Sequence, residues 1–299
     1  ISVNSENLMP IIKKWLYSDR DIFIRELVSN GVDAISKYKK LVQMGEAEEK
    51  ENYRVTVKAD KDAGTLTFTD NGIGMTKEEV EKYINQVAFS GAADFLEKYE
   101  SAGSSDIIGH FGLGFYSAFM VADKVTIKTL SYVKGAEPVL WESDGSDEYT
   151  ISDTDKTDAG TEITLYLNDE SKDFAENYTV REVLHKYCGF MPVEIVLAGD
   201  NEDKPVNDTQ PLWLKNPSEC MDEEYKKFYH KVFTDFNDPL FWIHLNVDYP
   251  FNLKGILYFP KLTENPESIQ GQIKLFNNQV FVADNIKEVI PEFLMLLKG

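Results

Sequence analysis

Cysteine is scarce in this sequence, and long apolar runs are absent from it. The 299 residues contain two cysteines, Cys188 and Cys220, which form no CxxC motif. Two isolated cysteines provide no disulfide framework, so a reducing compartment is favoured and a cytoplasmic protein is expected. No apolar run approaches the roughly 20 residues of a membrane-spanning helix, and no signal-peptide pattern opens the chain. We therefore expect no membrane association.

Positive charge is also in short supply. The chain has 31 Lys and Arg residues against 51 Asp and Glu residues, which gives a formal net charge of −20. So acidic a surface disfavours binding to the phosphate backbone of nucleic acid and to anionic lipids, and we expect no nucleic-acid partner. A small anionic ligand in a locally favourable pocket is still compatible with this charge.

The hydrophobic content of 42% is that of an ordinary globular protein, and the length allows one large or two medium domains. The polar stretch GDNEDKPVNDTQP carries two prolines and has no periodicity, which predicts a domain boundary. We assign residues 1–200 to a first domain, residues 201–210 to a linker and residues 211–299 to a second domain.

Apolar periodicity predicts a long helix over residues 19–44, followed by strands over 53–60 and 65–70. Within that helix, ELVSNGVDA places Glu26, Asn30 and Asp33 within roughly 60° of one another on one face. The stripe they form is polar, and it is separate from the apolar stripe of the same helix. Such a stripe either faces water or lines a pocket.

In a pocket, this stripe has the chemistry of a phosphate site. The amide oxygen of Asn30 is a hard ligand of the kind that Mg²⁺ accepts alongside phosphates and waters. Glu26, one turn earlier, is placed to orient or deprotonate a water that attacks a terminal phosphate. The alternative is that Glu26 pairs with Arg20 or Arg25 and the stripe is solvated, which the helix taken alone favours.

A second motif, DNGIGM, ends the strand predicted over 65–70. Asp70 stands at the carboxyl end of that strand, and Gly72 and Gly74 allow a tight turn and a close approach to a ligand. A carboxylate at this place can accept a hydrogen bond from an exocyclic amine such as N6 of adenine. The alternative is an ordinary Asp-Asn-Gly turn, which the motif taken alone favours.

A third motif, GHFGLGF, has Gly109, Gly112 and Gly114 in the spacing G-x-x-G-x-G, and a helix is predicted to begin near Phe115. Consecutive free backbone N–H groups followed by a helix N-terminus can cradle a phosphate. The motif is neither the G-x-x-x-x-G-K-[ST] loop nor the dinucleotide-binding G-x-G-x-x-G. The alternative is a flexible hinge, and a hinge is compatible with a lid that closes over a nucleotide.

Together with GTEITL, these motifs resemble the ATP-binding domain of the heat-shock protein 90 chaperones, most closely the bacterial HtpG type. The fold group is shared with gyrase B, histidine kinases and MutL. The stretch from FIRELVSN to MPVEIV resembles the nucleotide domain, and PLWLKNP to PEFLMLLKG resembles the start of the middle domain. The resemblance implies an α+β two-layer sandwich followed by an incomplete α/β middle domain.

The resemblance also implies the function of an ATP-dependent chaperone. It would bind ATP or ADP with Mg²⁺, close a lid over the nucleotide and hydrolyse ATP slowly, with weak turnover in this chain. Its partners would be client proteins and a second copy of the full-length protein, held through a C-terminal domain that lies outside this chain.

By position in the motifs, the resemblance assigns Glu26 to the hydrolytic water and Asn30 to Mg²⁺. It assigns Asp70 to N6 of adenine, helped through water by Gly74 and Thr161. The remaining implied pocket residues are Ala34, Met75 and Asn85 around the base and sugar, Gly109, Gly112, Gly114 and Phe115 around the phosphates, and Asp33 in the pocket wall.

Two positions depart from the family pattern. Phe89 stands where relatives commonly have Lys, and Gln279 stands where many relatives have an Arg that reaches the γ-phosphate. A neutral Gln cannot offset developing charge as Arg does, so another residue supplies that contact or turnover is slower.

Two alternative functions stay open. One is a nucleotide-sensing scaffold with little turnover, which Gln279 favours. The other is a different ATPase of the same fold group, such as gyrase B or MutL, which the acidic charge disfavours. A histidine kinase is disfavoured because the four histidines, His110, His185, His230 and His244, lie in no phospho-acceptor context.

Overall fold

The structure is a computed structural model, and it forms two compact units, Ile1–Asn207 and Asp208–Gly299. Each unit is considered by itself below. Among the described residues, no helix combines the length and apolar character needed to cross a membrane. The residues that the structure describes are 19–84, 114–146, 148–199, 204–248, 252–261, 272–284 and 297–299.

The first unit contains three α-helices and seven strands within its described residues, together with short 3₁₀ helices at Gly114–Met120 and Asp169–Ala175. The α-helices are α1 (Ile22–Gln43), α2 (Lys77–Tyr83) and α3 (Asn177–Cys188). The strands are β1 (Arg54–Asp60), β2 (Thr65–Asp70), β3 (Ala122–Leu130), β4 (Val139–Ser143), β5 (Tyr149–Asp153), β6 (Gly160–Leu167) and β7 (Glu194–Leu197).

The seven strands form one sheet in the order β5-β4-β3-β6-β2-β1-β7. All neighbouring pairs are antiparallel except β1 and β7, which are parallel. Helices α1 and α3 pack on each other and on the central strands. This mixed sheet with its helical layer confirms the predicted α+β sandwich.

Helix α1 is the central element of the core. Phe23 is fully buried and makes edge-to-face contacts with Phe68 of β2 and with Phe174, at ring-centroid distances of 6.5 and 5.0 Å. Each fully buried side chain of this size contributes about 1.5–3 kcal/mol relative to an exposed one. The other apolar residues of α1 that are at most 6% exposed are Ile24, Leu27, Val28, Val32, Ile35, Tyr38 and Leu41.

The helix ends differ in part from the sequence-based expectation. Helix α1 begins at Ile22, three residues later than predicted, after Asp21, which makes no side-chain capping bond. Helix α2 begins with a capping box between Thr76 and Glu79. The helix predicted to begin near Phe115 is the 3₁₀ helix Gly114–Met120, which leads directly into β3.

The second unit, in its described residues, has a helix packed on strand pairs through aromatic rings. Tyr229 and Tyr258 are at most 1% exposed, with ring centroids 5.0 Å apart, and Tyr225 stacks on Trp242 at 5.0 Å. The elements are α4 (Asp222–Val232), β8 (Phe241–Val247), β9 (Leu253–Phe259), β10 (Lys274–Asn277) and β11 (Val280–Asp284).

The chain just after β7 belongs structurally to the first unit. The Asn207 side-chain oxygen accepts a hydrogen bond from Ile195 N at 2.8 Å, and its Nδ2 donates to Met191 O and Val193 O, both at 2.8 Å. Val206 N also donates to Ile195 O. The division between the units thus falls directly after Asn207, inside the stretch assigned to the linker.

Replacing Asn207 by Ala should destabilise the first unit by about 1–3 kcal/mol, since three backbone groups around β7 lose their partner. Chemical unfolding followed by circular dichroism measures this change, with the exposed Asn52→Ala as control. A loss no larger than that of the control would contradict the inferred clamp.

Candidate functional site

Asp70 ends β2 in the centre of the sheet. The register places it opposite Val55 of β1 on one side and opposite Thr161 of β6 on the other. Its Oδ1 accepts a hydrogen bond from Gly72 N at 2.8 Å. Burial raises the pKa of the Asp70 carboxyl to about 7, against the lowering effect of the Gly72 and Thr161 N–H groups and of nearby lysines. The carboxyl can therefore change charge near neutral pH.

The bend that follows Asp70 is pressed between α1 and β3. A methyl group added at Gly72 would lie 2.4 Å from the backbone carbon of Ala34, and Ile73 N donates to Ala34 O at 3.2 Å. Gly74 has a φ of +60°, and a methyl group there would lie 1.8 Å from Leu130 O. Both glycines of DNGIGM are thus required by close backbone contacts. The Asp70–Gly72 hydrogen bond is also that of an ordinary Asp-Asn-Gly turn, so these contacts explain the glycines by packing and leave ligand binding a prediction.

A buried threonine pair joins the bend to the sheet. Thr129 of β3 is fully buried, and its Oγ1 lies 3.0 Å from Oγ1 of Thr161. Met75 N donates to the same Thr129 oxygen at 2.9 Å. Thr129 therefore holds both Met75 and Thr161 beside Asp70. The sequence analysis missed Thr129, because a threonine within an alternating strand carries no distinctive signal.

Helix α1 brings its polar stripe next to this bend. A methyl group added at Gly31 would lie 3.3 Å from Cβ of Asp70, so the helix crosses the strand end at the residue after Asn30. Asn30 is exposed, whereas Asp33 is 5% exposed. Helix α1 therefore meets the strand end through Gly31 and the bend through Ala34, on a face next to the one that carries the stripe.

Lys37, one turn beyond Asp33, is a further charged residue that the sequence analysis did not single out. Burial lowers the pKa of the Lys37 ammonium, and the carboxylates of Asp33 and Glu79 act in the opposite direction. The spacing of four residues from Asp33 on one helix face could have indicated this pair.

Glu26 has two distinct neighbours. Its Oε1 accepts from Arg25 Nη2 at 2.6 Å and from Arg25 Nε at 3.1 Å. The pairing with Arg25 considered in the sequence analysis is therefore present, whereas Arg20 donates instead to Ser171 Oγ and Glu170 O. A methyl group at Gly114 would lie 2.5 Å from Oε2 of Glu26. The structure thus brings Glu26 against the last glycine of GHFGLGF.

The structure describes only the end of the predicted phosphate loop, Gly114 and Phe115. Asn85, Gly109 and Gly112 lie outside the described residues, as does Phe89. The ring of Phe115 is 6% exposed and packs edge-to-face on Trp141 at 5.8 Å. A phosphate contact from Phe115 would therefore come from its backbone.

The residues assigned from the sequence fall into two neighbouring groups along α1. Asp70, Gly74, Met75 and Thr161 lie with Ala34 around the bend, and Glu26 lies against Gly114 at the other end of the stripe. The arrangement offers a carboxylate that can accept a hydrogen bond from an amine at one end and oxygen ligands for a hard cation at the other. These groups would suit the amine and the metal-bound phosphates of an adenosine phosphate.

Two family models match the chain. Residues 19–161 match the histidine kinase-, DNA gyrase B- and HSP90-like ATPase, and residues 196–299 match the Hsp90 protein family. The first match covers α1, strands β1 to β5 and the bend after Asp70. The second covers the whole of the second unit.

Curated relatives match along the full chain. It is 52% identical to the chaperone protein HtpG of Bacteroides thetaiotaomicron and 49% identical to that of Porphyromonas gingivalis strain W83, in each case over 100% of this chain and 45% of the relative. It is 40% identical to HtpG of Shigella dysenteriae, over 98% of this chain and 50% of the relative. The chain thus spans about half the length of these relatives, and over that length it belongs to the heat-shock protein 90 family, as a bacterial HtpG-type sequence.

Proposed function

We propose that this chain is the nucleotide-binding part of an ATP-dependent chaperone. One observation carries the proposal: α1 crosses the end of β2 at Gly31, the residue after Asn30, so that Gly31 lies against Asp70. Residues 1–200 would form the ATP-binding domain, 201–210 the linker and 211–299 the incomplete middle domain. The relatives are named chaperones, which supports client proteins as partners.

The adenine would be held at the bend. The Asp70 carboxylate accepts from the N6 amine, with Gly74 and Thr161 completing the contacts through water. Met75, Ala34 and Asn85 line the base and sugar, and Thr129 fixes two members of this group in place.

The phosphates and Mg²⁺ would lie along the stripe. The exposed amide oxygen of Asn30 fits a hard cation that takes most of its ligands from phosphates and water, with Asp33 as a supporting group in the wall. Among the described residues no cluster of three or more His, Cys, Asp or Glu residues could hold a metal ion. When bound, Mg²⁺ neutralises phosphate charge.

Glu26 would orient the hydrolytic water. Its Oε1 is held by Arg25, and its Oε2 faces the start of the 3₁₀ helix at Gly114. Gly109, Gly112, Gly114 and Phe115 would supply backbone donors to the phosphates.

Slow turnover, or a nucleotide-sensing scaffold, is the second candidate, and Gln279 favours it. Gln279 lies in the turn between β10 and β11 with a φ of 64°, and its Nε2 donates to Thr209 O at 3.4 Å. This neutral side chain contacts its own unit where relatives commonly have Arg.

The full-length protein would act in the cytoplasm as a homodimer joined through a domain beyond this chain.

Thermal unfolding with ADP and Mg²⁺ tests the nucleotide pocket. Ligand at 100 times its Kd should stabilise the chain by about 2.7 kcal/mol and raise its Tm. Asp70→Asn should abolish the shift, since the amide no longer offers a carboxylate to the N6 amine, while the control Asp60→Asn, at the opposite end of β1 from the partner of Asp70, should retain it. Absence of a shift in the wild-type chain would remove the pocket assignment.

Glu26→Ala tests the catalytic assignment in the full-length protein. The variant should bind ATP normally but hydrolyse it about 10²–10⁴-fold more slowly, the usual contribution of a positioned base. Steady-state phosphate release measures turnover, with Glu182→Ala, on the exposed part of α3, as control. Equal turnover in variant and parent would exclude Glu26 from the mechanism.

The raised pKa of Asp70 also predicts a stability effect without nucleotide. The folded carboxyl titrates near 7 and the unfolded one near 3.8, so this group lowers stability progressively as the pH rises between those values. Asp70→Asn removes this cost and should melt at a higher temperature than wild type at pH 8, by a margin that narrows towards pH 5.

Asp60→Asn is the control of opposite sign for that measurement. Ala63 N–H, donating at 3.0 Å, lowers the pKa of Asp60, so this replacement should reduce the Tm at pH 8. Both variants shifting the Tm in the same direction would contradict the ionisation argument.

A further inference from the structure

Lys50 lies under the bend that carries Asp70, on the segment that returns from α1 to β1. Its Nζ donates to Asn71 O at 2.6 Å and to Ala159 O at 3.2 Å, and Gly72 O lies at 3.5 Å. An ammonium has three N–H donors and no acceptor. Here three backbone carbonyls from two distant chain segments surround it.

The ammonium is held in place by an aromatic ring. Lys50 Nζ lies 4.2 Å from the centroid of the Tyr38 ring, within the range of a cation–π contact. The Tyr38 hydroxyl donates to Glu48 O at 2.9 Å, which anchors the same segment to α1. Lys50 N donates to the Tyr53 hydroxyl at 3.3 Å. These contacts leave Lys50 little freedom to turn towards solvent.

The bend is tied to this segment a second time. The Asn71 side chain donates through Nδ2 to Asn52 O at 2.8 Å and accepts at Oδ1 from Arg54 N at 3.1 Å. The residue directly after Asp70 is therefore bound through both its side chain and its carbonyl.

The segments joined by Lys50 are the two that frame Asp70. Asn71 and Gly72 follow it in the chain, and Ala159 precedes Gly160, where a methyl group would lie 2.2 Å from Asp70 O. Resting on the function proposed above, we propose that Lys50 is a positioning residue for nucleotide binding. Its ammonium ties the bend after β2 to the start of β6 and thereby orients the carboxylate that receives the adenine amine.

The charge of Lys50 favours the carboxylate form of Asp70, in addition to the hydrogen bonds that position it. Lys50 and Lys156 lower the pKa of Asp70. Asp70 and Asp158 raise the pKa of Lys50, and Lys156 lowers it. On both Asp70 and Lys50, burial has the larger effect on the pKa, and it favours the neutral form. Removing the Lys50 charge should therefore favour the protonated form of Asp70.

The test compares Lys50→Met with wild type in ADP–Mg²⁺ titrations by calorimetry between pH 6 and pH 8. Methionine keeps the length of the stem but lacks the charge and the donors. We expect the Kd at pH 8 to rise about tenfold, as for loss of a charge-assisted hydrogen bond, and the pH midpoint of binding to move upward. Lys61→Met, an exposed site of equal charge change paired with Glu176, should leave both unchanged.

Lys50→Arg keeps the experiment decisive if Lys50→Met does not fold. Arginine retains the charge, so its pH midpoint should stay near that of wild type, while its fork fits three converging carbonyls less well and its Kd should rise. The proposal is overturned if Lys50→Met has the Kd and the pH midpoint of binding of the wild type. It is also overturned if the pH midpoint of Lys50→Arg lies above that of the wild type. Wild-type chain that binds no ADP overturns the proposed function instead.

Discussion

The direct contact between helix α1 and the bend after β2 is the constraint on which the candidate site depends. Gly31 on the helix and Gly72 on the bend have no side chains, so the helix backbone approaches the strand end and the bend to distances at which a methyl group would collide with Ala34 or crowd Asp70. The bend is in turn seated on β3 through Gly74. A larger residue at any of these glycines would force the helix, the bend or β3 to move, and the spacing of the residues assigned to the site would change.

This contact has an electrostatic consequence. Packing the bend against the helix buries Asp70, and desolvation works against its charged form. The protein offsets this cost with the N–H groups of Gly72 and Thr161 and with the charges of Lys50 and Lys156, without removing it. A carboxylate kept at some expense to stability, at a place accessible to a ligand, is typical of a functional group retained for binding rather than for folding.

Much of the architecture follows from local patterns. Apolar periodicity located α1 and the two strands β1 and β2 that lead to the bend, because helices and strands bury one face at fixed spacing. Motif chemistry predicted Asp70 and Asn30 as ligand groups. Lys50 and Thr129 were not recognisable, since a lysine in a charged loop and a threonine in a strand look like many others. Their most distant partners are separated from them by 109 residues for Lys50 and by 54 residues for Thr129.

By itself, the sequence determined the elements, the acidic character, the glycine positions and the family resemblance, because these depend on residue type and short-range spacing. Only the tertiary structure decided which neighbours those residues have. It showed that Glu26 pairs with Arg25 and also faces Gly114, and that α1 meets the sheet at Gly31. The reason is physical: strand register and helix crossing depend on packing the whole core, and that packing sets the distances on which charge and hydrogen bonding act.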